Sequence, residues 1–226
     1  MGRLAFFLIF GLGGAAILIS LGVWQVQRLT WKEGLLADIE QRIAAEPVPL
    51  PAAPDRDADA YLPVEVTGSL GAGYLRVLVS QKGAGAGYRI IRPMMRDGGD
   101  ILIDMGFVRV ADADALKFEE GPPLTIVGNL QWPQETDSYT PEADVAGNIW
   151  FARDVEAMAR ALETEPVLVV RRDPPSVPGP VTPFPVDTAA IPNDHLQYAV
   201  TWFSLAAIWS VMTFFFLRRG TAANKS

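Results

Sequence analysis

The sequence predicts an α+β membrane protein, in which an N-terminal and a C-terminal transmembrane helix flank a β-rich, mostly antiparallel, open-barrel-like extracytoplasmic domain with a short helix. Three observations carry this reading. Residues 4–23 and 196–217 are uncharged apolar runs of 20 and 22 residues. At 1.5 Å rise per residue, each reaches across a hydrocarbon core of about 30 Å. Between them lie short apolar alternations rich in β-branched residues and punctuated by glycine and proline, the pattern of paired strands.

The first run passes into Trp24, Gln25 and Arg28 with no small-residue cleavage site, so it reads as an anchor rather than a removed signal peptide. Residues 31–43 continue it as a polar helix, stopped by the proline-rich stretch 47–54. Strands are expected over 64–69, 74–81, 88–95, 101–110 and 124–130, a helix over 153–163 and a strand over 166–171. The proline-dense stretch 174–185 reads as an extended tether back to the membrane. The divisions are therefore 1–24 (first span), 25–194 (domain), 195–217 (second span) and 218–226 (tail). Arg218, Arg219 and Lys225 follow the second span and Asp187 and Asp194 precede it, which places both termini in the cytoplasm and the domain outside.

Composition removes whole classes of function. The chain has 226 residues, half of them apolar, a net charge of −7, no cysteine and one histidine. It can hold no disulfide, thiolate metal site or thiol nucleophile, and no site needing two histidines. Residues 25–194 contain all 26 acidic residues against 15 basic ones, a net charge of −11. That domain is a poor match for nucleic acid, which wants a basic face.

Several motifs suggest chemistry and then fall short of it. Gly83-Ala-Gly-Ala-Gly87 resembles a phosphate loop, yet neither Gly-Lys-Ser/Thr nor a third fingerprint glycine follows, and it reads as a hairpin loop. Asp112/Asp114 and Glu119/Glu120 fall in polar connections and read as solvated loops. No serine has a nucleophile-elbow context, so the chain is not expected to be an enzyme.

His195 stands apart. Asn193 is a good N-cap, which places His195 in the first turn of the second span. Near the helical period follow Tyr198, Trp202, Leu205/Ala206 and Trp209. Two readings stay open. One is an interfacial histidine with belt aromatics; the other is an axial ligand for a flat apolar cofactor, and haem fits that description. Arg28 and Lys32, four apart at the end of the first span, either snorkel to the interface or pair with an acidic group such as a propionate. Gly11/Ala15, Ala16/Ser20, Gly14 and Gly22 supply small positions for close packing against the second span.

Leu21-Gly-Val-Trp-Gln-Val-Gln-Arg-Leu-Thr-Trp-Lys32 and Asn193-Asp-His-Leu-Gln-Tyr-Ala-Val-Thr-Trp202 resemble the surfeit-locus-one family of cytochrome c oxidase assembly proteins. Tyr61-Leu-Pro-Val-Glu-Val-Thr-Gly68, Gly87-Tyr-Arg-Ile-Ile-Arg-Pro93, Ile101-Leu-Ile-Asp-Met-Gly-Phe-Val108 and Asn148-Ile-Trp150 continue the likeness in order. Met105 stands where the family usually has arginine, and Pro141-Glu-Ala143 where it usually has Pro-x-Asn. The resemblance implies a membrane assembly factor, embedded in the lipid bilayer, that binds haem a transiently. It would stand between the haem a synthase and the catalytic subunit of a haem-copper oxidase. His195 would be the axial ligand to haem iron, within a candidate cofactor-binding set of His195, Tyr198, Trp202, Trp24, Arg28 and Lys32. A scaffold that holds the oxidase subunit without binding haem is the alternative; a membrane oxidoreductase is a weaker third. With no organellar presequence ahead of the first span, a bacterial inner membrane with a periplasmic domain is expected.

Overall fold

The computed structural model describes residues 2–81, 83–172, 180–189 and 191–222. The chain forms two compact units. One comprises Met1–Asp38 and Thr188–Ser226, the other Ile39–Asp187.

The second unit is built on a five-stranded barrel. Its staves are β2 (Pro63–Leu70), β6 (Leu124–Leu130), β8 (Leu168–Arg171), β5 (Ile101–Arg109) and β4 (Gly85–Met95). Neighbours pair antiparallel except β5 with β8, which run parallel. The barrel is closed rather than open, because β2 meets β4 at Ser69↔Met95 and Leu70↔Met94. Three strands extend the sheet: β1 (Val48–Pro49) on β2, β3 (Leu75–Gln81) in a hairpin with β4, and β7 (Ile149–Trp150) on β3. The glycine-rich motif 83–87 is the turn and first residues of that hairpin. Residues 174–179 of the expected tether lie outside the described residues.

β5 shows how period-two alternation builds two cores from one strand. Ile101, Ile103 and Met105 enter a core with Val64, Val66, Ile90, Met94, Ile126 and Val169. Leu102 faces the other way, into a core with Ile91, Leu168, Val170, Trp150 and Met158. The first eight residues of β5 are buried. Met105 is a core side chain, 2% exposed, so a thioether fills interior volume at this position.

Helix α3 (Val155–Leu162) follows the expected spacing and turns Val155, Met158 and Ala159 into the second core. Asp154 is its N-cap and accepts from the Ala157 N–H at 3.0 Å. The short α2 (Val110–Ala113) ends β5. Asp112, within this helix rather than in a loop, and Asp114, its C-cap, are surface ion-pair partners of Arg109 and Arg76.

Asp104 is the exception to an apolar strand. It is fully buried, and its Oδ2 accepts from Arg89 Nε at 2.5 Å with Arg153 Nη1 at 3.8 Å. Arg153 in turn pairs with Glu135 and donates to Gln131. Burial alone would raise the Glu135 carboxyl, but hydrogen bonds and charge from Arg153, with the Arg89 charge behind them, outweigh it and hold the group below its ordinary value. Arg89 also donates to the Phe184 carbonyl at 2.7 Å and stacks on its ring. Phe107 and Thr182 exchange two backbone hydrogen bonds, so residues 182–184 lie against the barrel wall.

Gly106 makes that approach possible. Its φ is +115°, and a Cβ built there would run into the Thr182 carbonyl and lie 2.8 Å from Pro183 Cα. The close backbone approach expected of a glycine inside a strand pattern is therefore what the fold uses.

Two outcomes are expected. Gly106→Glu has to displace the 182–183 backbone, and it should destabilise the barrel unit by more than about 2 kcal/mol, read as a lowered Tm of the detergent-solubilised chain. Because the Glu135 carboxyl is lower in the folded state than in the unfolded one, its contribution is present above about pH 4.3 and is lost as pH falls through the folded value. Glu135→Gln should therefore flatten the decline of Tm between about pH 6 and pH 3, measured against wild type.

Candidate functional site

The helical unit pairs α1 (Gly2–Ala44) with α4 (His195–Ala222). Both are long and apolar enough to cross a membrane. Ile9, Leu12, Ile17, Val200, Ile208 and Phe215 are exposed on them, which is what a lipid-facing helix presents. The polar segment 31–43 is continuous with the first apolar run, and α1 ends just before Pro47.

Small residues bring the two helices together. A Cβ on Gly11 would collide with the Thr213 side chain, one on Gly14 would lie 2.5 Å from Trp209 Nε1, and one on Gly22 would lie 2.7 Å from the Phe203 ring. With Gln25 beside His195, these contacts run in opposite chain directions, so the helices are antiparallel. Trp209 donates its indole N–H to the Gly11 carbonyl at 2.9 Å and stacks obliquely on Phe10. Gly11, Gly14 and Gly22 belong to the packing face. Ala16 and Ser20 are exposed, and the Ser20 hydroxyl bonds back to the Ala16 carbonyl.

On α4 the sheltered side is His195, Ala199, Trp202, Ala206, Trp209 and Thr213, alternating three and four apart. His195 and Trp202 are half-buried there. Tyr198 lies off that side, 54% exposed, as does Leu205. On α1 the sheltered side is Gly11, Gly14, Leu18, Gly22, Gln25, Leu29 and Lys32. Trp24 is half-exposed, and Arg28 is exposed with its guanidinium 4.2 Å from the Trp31 ring centroid. Lys32 thus falls on the sheltered side and Arg28 beside it, on the Trp24 side.

His195 Nδ1 lies 2.8 Å from Gln25 Oε1, and Gln25 is 8% exposed. No other described residue hydrogen-bonds the imidazole. Gln25 is the functional neighbour that sequence reasoning missed. The available signal was its position: it continues the glycine face one turn beyond Gly22, where an amide has no packing reason to be. The donor set suits a group bound through a single nitrogen, since Nε2 stays uncommitted and indole surface lies on the same side of α4. It does not suit a chelated metal, and no group of three histidine, aspartate or glutamate side chains converges among the described residues.

Two hollows lie among the described residues. In the helical unit, Phe10, Gly11, Trp209, Met212, Thr213 and Phe216 line an apolar depression of about 160 Å³. In the barrel unit a cleft of about 280 Å³ is lined by Arg56, Tyr61, Gln131, Trp132 and neighbours, and it brings together no acid–base pair.

A family model described as the SURF1 family matches residues 12–207, a span that includes the whole barrel, most of α1 and the first half of α4. The chain is 33% identical to the Surfeit locus protein 1 of Homo sapiens, over 89% of this chain and 74% of that protein. It is 31% identical to the Surfeit locus protein 1 of Rattus norvegicus, over 88% and 72%. It is 29% identical to a SURF1-like protein of Monosiga brevicollis, over 90% and 85%.

Adjacent glycines separate packing from composition. Gly14→Leu must push Trp209 away and should cost about 1–3 kcal/mol in detergent as overpacking. A Cβ on Gly13 meets nothing within 4 Å, so Gly13→Leu should leave Tm unchanged. The pair of melting curves checks the helix interface.

Proposed function

This chain belongs to the SURF1 family, and from that premise we propose that it is an assembly factor for haem-copper cytochrome c oxidase that binds haem a as cargo and assists its delivery to the catalytic subunit. The observation that carries the reading is the chain's one histidine, seated at the mouth of the helix pair with Nδ1 held by Gln25 and Nε2 uncommitted. A neutral imidazole nitrogen of that kind is what haem iron takes as an axial ligand.

Each further residue has a role in this reading. Trp202 offers flat apolar surface two turns along the same side of α4, and Trp24 and Tyr198 would add ring surface from the exposed sides. Arg28 and Lys32 carry the positive charge that propionates would pair with. The isoprenoid tail of haem a needs an apolar setting, and the span helices provide one, including the hollow beside Trp209. Haem is received and passed on rather than turned over, so the protein works as a carrier and not as an enzyme. Its partners are the haem a synthase and the oxidase catalytic subunit. Its home is a bacterial inner membrane, with both termini cytoplasmic and the barrel unit periplasmic.

A scaffold that engages the oxidase subunit without binding haem is the second reading, favoured by one observation. Tyr198 is exposed rather than gathered with His195 and Trp202, so the aromatic set is not fully converged. The two readings part on one purification. Protein solubilised from a haem a-producing host should show a haem absorption spectrum. His195→Ala should lose most of the bound haem a with the Tm of the barrel unit unchanged, and Arg28→Ala should lose less. A colourless wild type that still co-purifies with the oxidase subunit would establish the scaffold.

A further inference from the structure

Gln25 is a buried amide on a helix face whose other members, from Gly11 to Leu29, are glycine and leucine. Burying an amide is costly unless its polar atoms are paired. Its Oε1 has a partner in the His195 ring, 2.8 Å away and 170 residues distant in the chain.

The identity of the atoms has a chemical consequence. An amide oxygen only accepts, so the ring nitrogen facing it must carry hydrogen. A neutral imidazole has one N–H. If Nδ1 holds it, Nε2 keeps its lone pair. Histidine in water prefers the opposite arrangement, with hydrogen on Nε2, so a partner is needed to hold the ring this way round. An acceptor at Nδ1–H also fixes the ring plane and strengthens Nε2 as a donor, the usual work of a group behind a ligating histidine. Gln25 and His195 sit on different helices, and the bond exists only in the register set by Gly11, Gly14 and Gly22.

We infer that Gln25 is a positioning residue for the ligand site: it fixes His195 as the Nδ1–H tautomer and turns Nε2 out as the ligating atom. That the ligand is haem rests on the function proposed above; the tautomer does not.

The chain's single histidine makes the test direct. Full-length protein labelled with 15N-histidine, in detergent, without haem and at about pH 8.5 where an imidazole is neutral, gives two ring nitrogen signals. In wild type, Nδ1 should resonate as protonated and Nε2 as unprotonated. Gln25→Leu should shift the population to Nε2–H, and Gln25→Glu, which still accepts, should keep the wild-type pattern. A wild type with hydrogen on Nε2, or a Gln25→Leu spectrum identical to wild type, overturns the inference.

Titration with iron protoporphyrin then reads the ligand. Gln25→Leu should bind about 10–100-fold more weakly, Gln25→Glu should recover near-wild-type affinity, and His195→Ala should lose the axial-ligand spectrum. A tautomer change with unchanged affinity and spectrum would make the bond merely structural and overturn the positioning role. If instead His195→Ala binds as wild type does, the haem reading fails while the tautomer result stands.

Discussion

Close approach of α1 and α4 at glycine is the constraint on which the candidate site depends. Lipid tails are as apolar as leucine, so helices in a bilayer gain little from burying apolar surface against each other and rely on contact and interhelical hydrogen bonds. Gly11, Gly14 and Gly22 let Thr213, Trp209 and Phe203 reach the α1 backbone. Two hydrogen bonds then fasten the pair, the Trp209 indole on the Gly11 carbonyl and Gln25 on His195. They sit 14 residues apart on each helix, about 21 Å at 1.5 Å per residue, so they fix axial shift and rotation together. The setting of the imidazole is thus a property of the whole helix pair.

The barrel unit solves a different problem, that of carrying charge inside its wall. Asp104, Arg89, Arg153 and Glu135 form a balanced group of two anions and two cations. The Asp104 Oδ1 also accepts from the Gly106 N–H at 3.0 Å. Breaking one member of such a group leaves another charge buried and unpaired, which costs more than the group contributes intact. Arg92 follows another route. Burial lowers its pKa, and the guanidinium is held by the carbonyls of Gly71 and Glu119 and by the Phe118 ring. The barrel wall therefore has little tolerance for change at positions that look conservative in sequence.

Much of the fold was legible because apolar periodicity reports burial directly. The five expected strands from 64–69 to 124–130 and the helix at 153–163 appear within a few residues of their bounds, since each buries one face and alternates accordingly. β1 and β7 were not legible, being two residues long with no period to read. Closure of the barrel was not legible either: it rests on two residue pairs between β2 and β4, and pairing partners leave no mark in either strand. In the site, the glycine face could be read from spacing; His195 does open α4, but Asn193 is not its cap, since the Asn193 Oδ1 has no hydrogen-bond partner among the described residues. Gln25 could not be assigned its role, because a lone amide acquires one only when a residue 170 positions away is brought to it. Asp104 was hidden in the same way, its partners Arg89 and Arg153 coming from two other segments.

The order of strands around the barrel differs from their order in the chain. β8, the last strand synthesised, is not an edge but a middle stave, between β6 and β5. Until Arg171 has emerged, β5 and β6 each present an open edge, and such edges pair promiscuously. Only some 23 residues separate the end of β8 from the start of α4. Completion of the barrel and arrival of the second span are therefore nearly simultaneous in biosynthesis. A chain stalled or truncated before β8 lacks both the closing stave and the helix that carries His195, and it is left with exposed sheet edges beside a single anchor.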